Sequence, residues 1–227
     1  MLLEKVLSIV AVSAMLLDGG MKTALPDKNI DGNVFLVNRQ HAVSQYHAPA
    51  VRKVIGPGMD QSMRDDAATA LEEMFAAAKE DGINLSIVSG YRSYSKQSAI
   101  YGRKKAEQGQ KAADRVSARP GTSKHQLGLA MDVARKGSTQ LNTKFGTTKE
   151  GQWLNQNAHR FGFIIRYLEG YEEVTGYMYE PWHVRYVGRE QAEALYESAL
   201  PMEWYMSGYK LSVYDYLIHQ ATNEVLP

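Results

Sequence analysis

The chain of 227 residues is 44% hydrophobic and 22% charged, with a formal net charge of +1. That suffices for one sizeable core with a small appended piece, and it offers neither a basic excess for nucleic acid nor an acidic run of the kind found in solvated tails. Cysteine is absent, so cysteine nucleophiles, iron–sulfur ligation and thiolate zinc sites are excluded, any metal must rest on His, Asp and Glu, and an oxidising, extracytoplasmic setting is compatible.

The first segment holds an apolar run from Val6 to Leu17. It is shorter than the about 20 residues that span a bilayer, and it has the length of a signal-peptide core. It predicts either an export signal, with weak membrane association and an envelope or extracellular location, or a helix packed on the domain. Asp18 to Asn33 reads as a linker, rich in Gly, Pro, Asp and Asn. Val34 to Val43 is expected to begin as a strand. A helix is expected from Ser62 to Lys79, where Met63, Ala67, Ala70, Leu71, Met74, Phe75 and Ala78 recur on one face. Ser62 with Asp65 resembles a capping box, and Gly82 is placed to end the helix.

Ile83 to Tyr91 alternates like a strand. A polar helix follows from Ser95 to Gln108, and Lys111 to Ser123 reads as a loop punctuated by Pro120 and Gly121. Leu127 to Arg135 is the next strand, Glu150 to Gly162 a helix, and Phe163 to Tyr167 and Trp182 to Val187 two more strands. Helices are expected over Arg189 to Leu200 and Leu211 to Gln220. Helices and strands mix without a βαβ repeat, which predicts an α+β fold with a mostly antiparallel sheet flanked by helices. Fourteen tyrosines against five phenylalanines serve either packing at the core edge or contacts to sugar or peptide.

Two stretches carry chemistry. In "EPWHVRYVG", Glu180, His183 and Arg185 crowd a half-buried strand, and each is costly to bury alone. A surface ion pair and a satisfied core histidine would account for them. In "SKHQLGLAMDV", His125 ends a loop and Asp132 lies among Leu129, Ala130, Met131 and Val133. An arginine partner would satisfy that carboxylate, and so would a metal. Gly128 lets the chain bend between the two. Catalytic zinc commonly takes three nitrogen or oxygen ligands, so His125, Asp132 and His183 form a possible set with Glu180 beside it as a proton acceptor. His41, His47, His159 and His219 fall in no motif and read as surface or packing residues.

"SGYRSYSKQ", "SKHQLGLAMD" and "EPWHVR" resemble, in order, the three signatures of the D-alanyl-D-alanine carboxypeptidases of the vancomycin-resistance type, zinc peptidases that share the hedgehog/D,D-peptidase fold. The similarity runs from about Val34 to Gly188. It implies Zn2+ on His125, Asp132 and His183, with Glu180 as catalytic base and acid. It implies that Arg92 meets the substrate carbonyl or carboxylate, with Ser123 and Gln97 also near substrate. The implied reaction is hydrolysis of the terminal D-Ala-D-Ala bond of peptidoglycan stem pentapeptides by a monomer. Residues 34–188 would form the catalytic domain, 1–33 the apolar segment and linker, and 189–227 a helical extension packed on the domain.

Other functions are kept in view. A lysin-type zinc L-Ala–D-Glu endopeptidase would share the chemistry, and a zinc-bearing wall-binding module without turnover would not need Glu180. "SYSK", Ser93 to Lys96, matches the S-x-x-K nucleophile motif of penicillin-binding D,D-peptidases, but "SGYK" matches it too, and the H-E-x-x-H zinc helix is absent.

Overall fold

The structure, a computed structural model, describes residues 30–207. The Val6–Leu17 run, most of the linker, the helix expected over Leu211–Gln220, His219 and the tyrosines beyond Ser207 lie outside the described residues. A short hairpin pairs β1 (Arg52–Lys53) with β2 (Ser62–Met63) and leads into α1 (Asp65–Glu80) and β3 (Leu85–Ser89). Then come α2 (Tyr94–Gln108), α3 (Gln110–Val116), a 3-10 turn (Lys124–Leu127) and β4 (Ala130–Arg135). Next are a 3-10 turn (Thr143–Thr147), α4 (Lys149–Asn157), a 3-10 turn (Ala158–Phe161), β5 (Phe163–Tyr167) and the single turn α5 (Glu172–Thr175). β6 (Glu180–Tyr186) and α6 (Arg189–Ser198) follow, and residues 202–207 are helical.

The architecture is α+β. One four-stranded sheet, ordered β3-β4-β6-β5, is antiparallel throughout. The central strand β4 is buried from Ala130 to Ala134, and α1 covers the sheet with the apolar face read from its periodicity: Ala67, Ala70, Leu71, Met74, Phe75 and Ala78 are all buried. Full burial of a side chain such as Leu71 contributes about 1.5–3 kcal/mol. The chain turns out of α1 at Gly82, whose φ of +74° suits glycine.

Three local expectations fail. Val34–Val43 is irregular rather than a strand. The carbonyls of Asn33 and Phe35 accept hydrogen bonds at 3.0 and 3.1 Å from the Arg185 guanidinium, and no strand pairs there. α1 begins at Asp65, not Ser62, because Ser62 and Met63 pair with Lys53 and Arg52. Its cap residue is Arg64, without a side-chain cap, so Ser62 and Asp65 form no capping box. Finally, residues 110–116 are helical where a loop was expected. That run contains no Gly or Pro, and Gly109, at φ +81°, sets it off from α2.

The described part of the C-terminal extension packs on β5. Val34, Ile164, Val187, Leu195, Leu200, Met202 and Tyr205 form a second apolar cluster there. Arg166 on β5 is buried, and its guanidinium donates to both Glu203 oxygens at 3.0 and 2.5 Å. Burial opposes ionisation of Glu203, but Arg166 prevails and holds the carboxyl below its usual range. Removing one partner of such a pair strands the other, at a cost of about 3–5 kcal/mol. Glu203→Ala should therefore lose about that much stability at pH 7 in denaturant unfolding. Because the folded pKa is depressed, the contribution is complete above the unfolded value of about 4.3 and is lost as pH falls through the folded value. The two proteins should converge in stability below that range.

Candidate active site

The sheet register brings the chemistry together. Ser89 stands opposite Asp132, and Asp132 opposite His183, so β3, β4 and β6 place three polar residues in one row. Tyr167 stands opposite Glu180 one strand further on. Irregularities between Ile87 and Ser89 and between Ile165 and Tyr167 alter the strand alternation at this end. Asp132 faces this row while its neighbours Met131 and Val133 enter the core, which is why one carboxylate can sit inside an apolar strand.

His125 arrives from the 3-10 turn, which Gly128 closes at φ +68°. The positive φ favours glycine, and a Cβ there would also press on Val51 Cγ1 at 3.0 Å and Arg64 Cγ at 3.2 Å. His125 Nδ1 lies 2.8 Å from the Gly90 carbonyl, to which it can only donate, and its Nε2 lies 3.4 Å from Asp132 Oδ2. His183 Nδ1 is 2.8 Å from Asp132 Oδ1, and its Nε2 is buried without a partner.

One donor atom from each of His125, Asp132 and His183 lies within 4.8 Å of the other two, and all three side chains are buried. Burial pushes the His183 imidazole down to about 4, so it is neutral at pH 7, the form that ligates a metal. Burial opposes ionisation of Asp132, but His125 and His183 outweigh it and hold the carboxyl well below its usual range. Two imidazoles and one carboxylate are a donor set of catalytic zinc, and the buried, unpartnered ring nitrogen of His183 fits a site built for a cation.

Around this cluster lies a cavity of ≈ 410 Å³ lined by Arg92, Ser123, Lys124, Tyr167, Tyr177, Glu180 and Trp182 among others. The Glu180 carboxylate is 3.9 Å from His183 Nδ1. Burial first, then repulsion from Asp132, pushes its pKa up to about 8, partly offset by Lys124, Lys104 and Arg92. A carboxyl that gains and loses a proton near neutrality suits acid–base work. Arg92 donates to Gln97 Oε1 at 2.7 Å and Ser89 Oγ at 2.8 Å. Among the described residues no carboxylate lies within ion-pair distance of it, and Asp132 and Glu180 act on it only at longer range.

One sequence expectation meets a different geometry. Gln97 does not reach the cavity: it is fully buried behind Arg92, holding the guanidinium through Oε1 while its amide donates to the Ala118 carbonyl. Its hydrogen bond holds the Arg92 guanidinium at the cavity wall. Ser93, of the S-x-x-K match, caps α2 by accepting from Lys96 N and is not part of the cavity wall. Arg185 serves the N-terminal segment, as a structural partner. Sequence reasoning missed Lys124, Tyr167 and Tyr177. Lys124 lay inside the quoted "SKHQ" stretch, and the two tyrosines were visible only as part of a high tyrosine count. Burial pushes the Lys124 amine well down from its usual value.

The sequence model of one family, VanY: D-alanyl-D-alanine carboxypeptidase, matches residues 60–189. The putative carboxypeptidase YodJ of Bacillus subtilis (strain 168) is 39% identical over 201 residues, covering 84% of this chain and 72% of that protein. The solved LdcB LD-carboxypeptidase aligns with TM-score 0.76 at 37% identity, covering 84% of this chain and 91% of its own. A mutant of the vancomycin resistance D,D-pentapeptidase VanY, solved in complex with Zn(II), aligns with TM-score 0.67 at 35% identity, covering 77% and 98%. With a donor set that fits zinc at the same end of the sheet as Glu180, the chain belongs to the VanY D-alanyl-D-alanine carboxypeptidase family and is a zinc peptidase of that family.

Proposed function

We propose that the protein hydrolyses the terminal D-Ala-D-Ala bond of peptidoglycan stem pentapeptides, releasing one D-alanine. The observation that carries this is the placement of Glu180 on the cavity wall beside the donor cluster, with the ion-pair-free Arg92 lining the same cavity. His125, Asp132 and His183 would hold the zinc ion, which supplies Lewis acidity and brings the pKa of a water molecule toward about 7. Glu180 accepts the proton of the attacking water and then delivers it to the nitrogen of the departing D-alanine. Arg92, held as a fixed fork by Gln97 and Ser89, donates to the oxygen of the scissile carbonyl as negative charge develops there. Ser123, on the cavity wall, is placed to hydrogen-bond the peptide.

The substrate lies in the cell wall, so the reading places the protein in the envelope or outside the cell. Among the described residues no helix is long and apolar enough to cross a membrane. Residues 34–188 would be the catalytic domain, with 189–207 packed upon it.

A second reading has its own support: the TM-score of 0.76 with an LD-carboxypeptidase exceeds the 0.67 with a D,D-pentapeptidase. Mass analysis of products from a muramyl pentapeptide and the matching tetrapeptide separates them. The D,D reading expects one D-alanine lost from the pentapeptide, activity abolished by chelation and restored by zinc, and no effect of β-lactams. Loss from the tetrapeptide with the pentapeptide intact moves the protein to L,D cleavage, and scission between L-Ala and D-Glu moves it to the endopeptidases. Labelling of Ser93 by penicillin would overturn the metal mechanism altogether.

A further inference from the structure

Gln126 follows His125 in the 3-10 turn Lys124–Leu127, and it is fully buried. Its amide nitrogen donates to the Ser44 carbonyl at 2.9 Å and to the His47 carbonyl at 3.2 Å. Two carbonyls can be met only by the NH2 end of a carboxamide, so the side chain is held in one orientation. Its Oε1 is buried without a partner among the described residues. A methionine would fill the place without stranding an oxygen, so packing alone does not account for a carboxamide here. What the carboxamide adds is a pair of tethers to residues 82 and 79 positions earlier.

Those residues belong to a fixed strap. Val37 and Val43 are buried in the main apolar cluster. Asn38 Oδ1 accepts from the backbone N–H of Gln40 at 2.9 Å and of His41 at 3.0 Å, which closes a turn. Arg39 donates to the Asp114 carbonyl on α3, and its guanidinium lies 4.8 Å from the ring centre of Tyr177 on the cavity wall. Val43 N donates to the Gly121 carbonyl at 2.8 Å. The turn that carries His125, by contrast, is a single 3-10 piece of four residues, a geometry with poorer internal hydrogen bonds. On its other side His125 Nδ1 meets the Gly90 carbonyl at 2.8 Å, and the His125 carbonyl accepts from Arg92 N at 3.1 Å. The imidazole is therefore oriented between two supports, the chain just past β3 and the strap. Without the second, the turn is free to rotate about the first, and a site of this kind tolerates an error of only about 0.5 Å.

We propose that Gln126 is a positioning residue for the donor cluster, transmitting the place of the strap, residues 38–47, to the His125 imidazole. The strap and the cluster are then coupled, and such coupling is reciprocal. Losing Gln126 weakens metal binding, and metal binding in turn steadies the strap. This rests on His125 as a zinc ligand and not on which peptide bond is cut. The test uses Gln126→Met in the full chain, which keeps the length of the side chain and loses both donors. Zinc affinity is measured by competition with a chromophoric chelator, ligand geometry by the visible spectrum of the cobalt(II)-substituted protein, and the strap by hydrogen exchange of residues 38–47 with and without zinc. Leu195→Ala, in the second apolar cluster, is the control for lost stability.

Loss of an outer support of a metal-binding imidazole should lower zinc affinity by about 10- to 100-fold. The cobalt spectrum should change with it, because it reports ligand geometry. Zinc should slow exchange of the backbone amides of residues 38–47 in the wild type, and Gln126→Met should lose most of that slowing. Leu195→Ala should unfold at a lower temperature and leave all three readouts as in the wild type. A Gln126 that served stability alone would behave like Leu195. Unchanged zinc affinity in Gln126→Met overturns the proposal, and so does an equal loss in Leu195→Ala. Should Gln126→Met not fold, the wild type decides, since exchange of residues 38–47 that is indifferent to zinc overturns the coupling. Absence of D-alanine release by the wild type would sink the D,D reading alone, because none of the three readouts uses substrate.

Discussion

Replacing Glu180 by Gln is expected to lower kcat by about 100- to 10,000-fold, the usual worth of a positioned acid–base group, while the protein keeps its zinc. Glutamine has the same shape and can accept a hydrogen bond from water, but it cannot take the proton. Glu180 lies on the cavity wall and is not one of the three clustered donors, so metal affinity should survive the change. The amide also removes the carboxyl whose pKa burial and Asp132 have raised, relieving a like-charge contact, so the fold should be no less stable. Zinc content by elemental analysis, together with single-turnover rates, checks both halves. A Glu180→Gln protein that has lost zinc would make Glu180 a ligand. One that keeps its rate would remove Glu180 from the chemistry.

Asp132→Ala is expected to fail at the earlier step, with metal binding lost and activity reduced to background. Asp132 holds His183 at 2.8 Å and faces His125 at 3.4 Å, so its removal takes away one donor and the electrostatic partner of the other two. Removing this carboxylate also leaves His183 Nδ1 without its acceptor inside a buried site. Isothermal titration with zinc should show affinity falling by several orders of magnitude, with circular dichroism confirming that the sheet remains. Retention of zinc in the Asp132 variant with full loss of activity would contradict the ligand set. The pair of variants is informative together: one keeps the metal and loses the proton transfer, and the other loses the metal.

Both predictions concern residues that could be found in the linear sequence because their types are expensive where they stand. An Asp inside "LAMDV" and a Glu three residues before a His in "EPWHV" announce themselves as conflicts between burial and charge. The helix α1 was legible for a similar reason, since its apolar spacing repeats over several turns. By contrast, α3 is short and polar, and nothing in "QKAADRV" distinguishes a helix from a loop until its neighbours are known. The segment from Val34 to Val43 has the composition of a strand, yet Arg185, about 150 residues later, takes the carbonyl of Phe35 and that of Asn33 just before it.

Residue identity in the sequence by itself determined which groups are present to do chemistry, and the α+β class followed from patterns that act within a few residues. Only the tertiary structure decided how those groups are used. His125, Asp132 and His183 are separated along the chain by seven and 51 positions, and the antiparallel register of β4 with β6 is what sets the last two face to face. The same holds for the division of labour among the polar residues near Arg92. Gln97 lies on the buried face of α2 and supports the guanidinium. Lys124 extends to two tyrosines near the opposite edge of the sheet. The physical reason is that the cost of a buried polar group depends on its partners in space, and partners contributed by distant strands leave no periodic mark in the sequence.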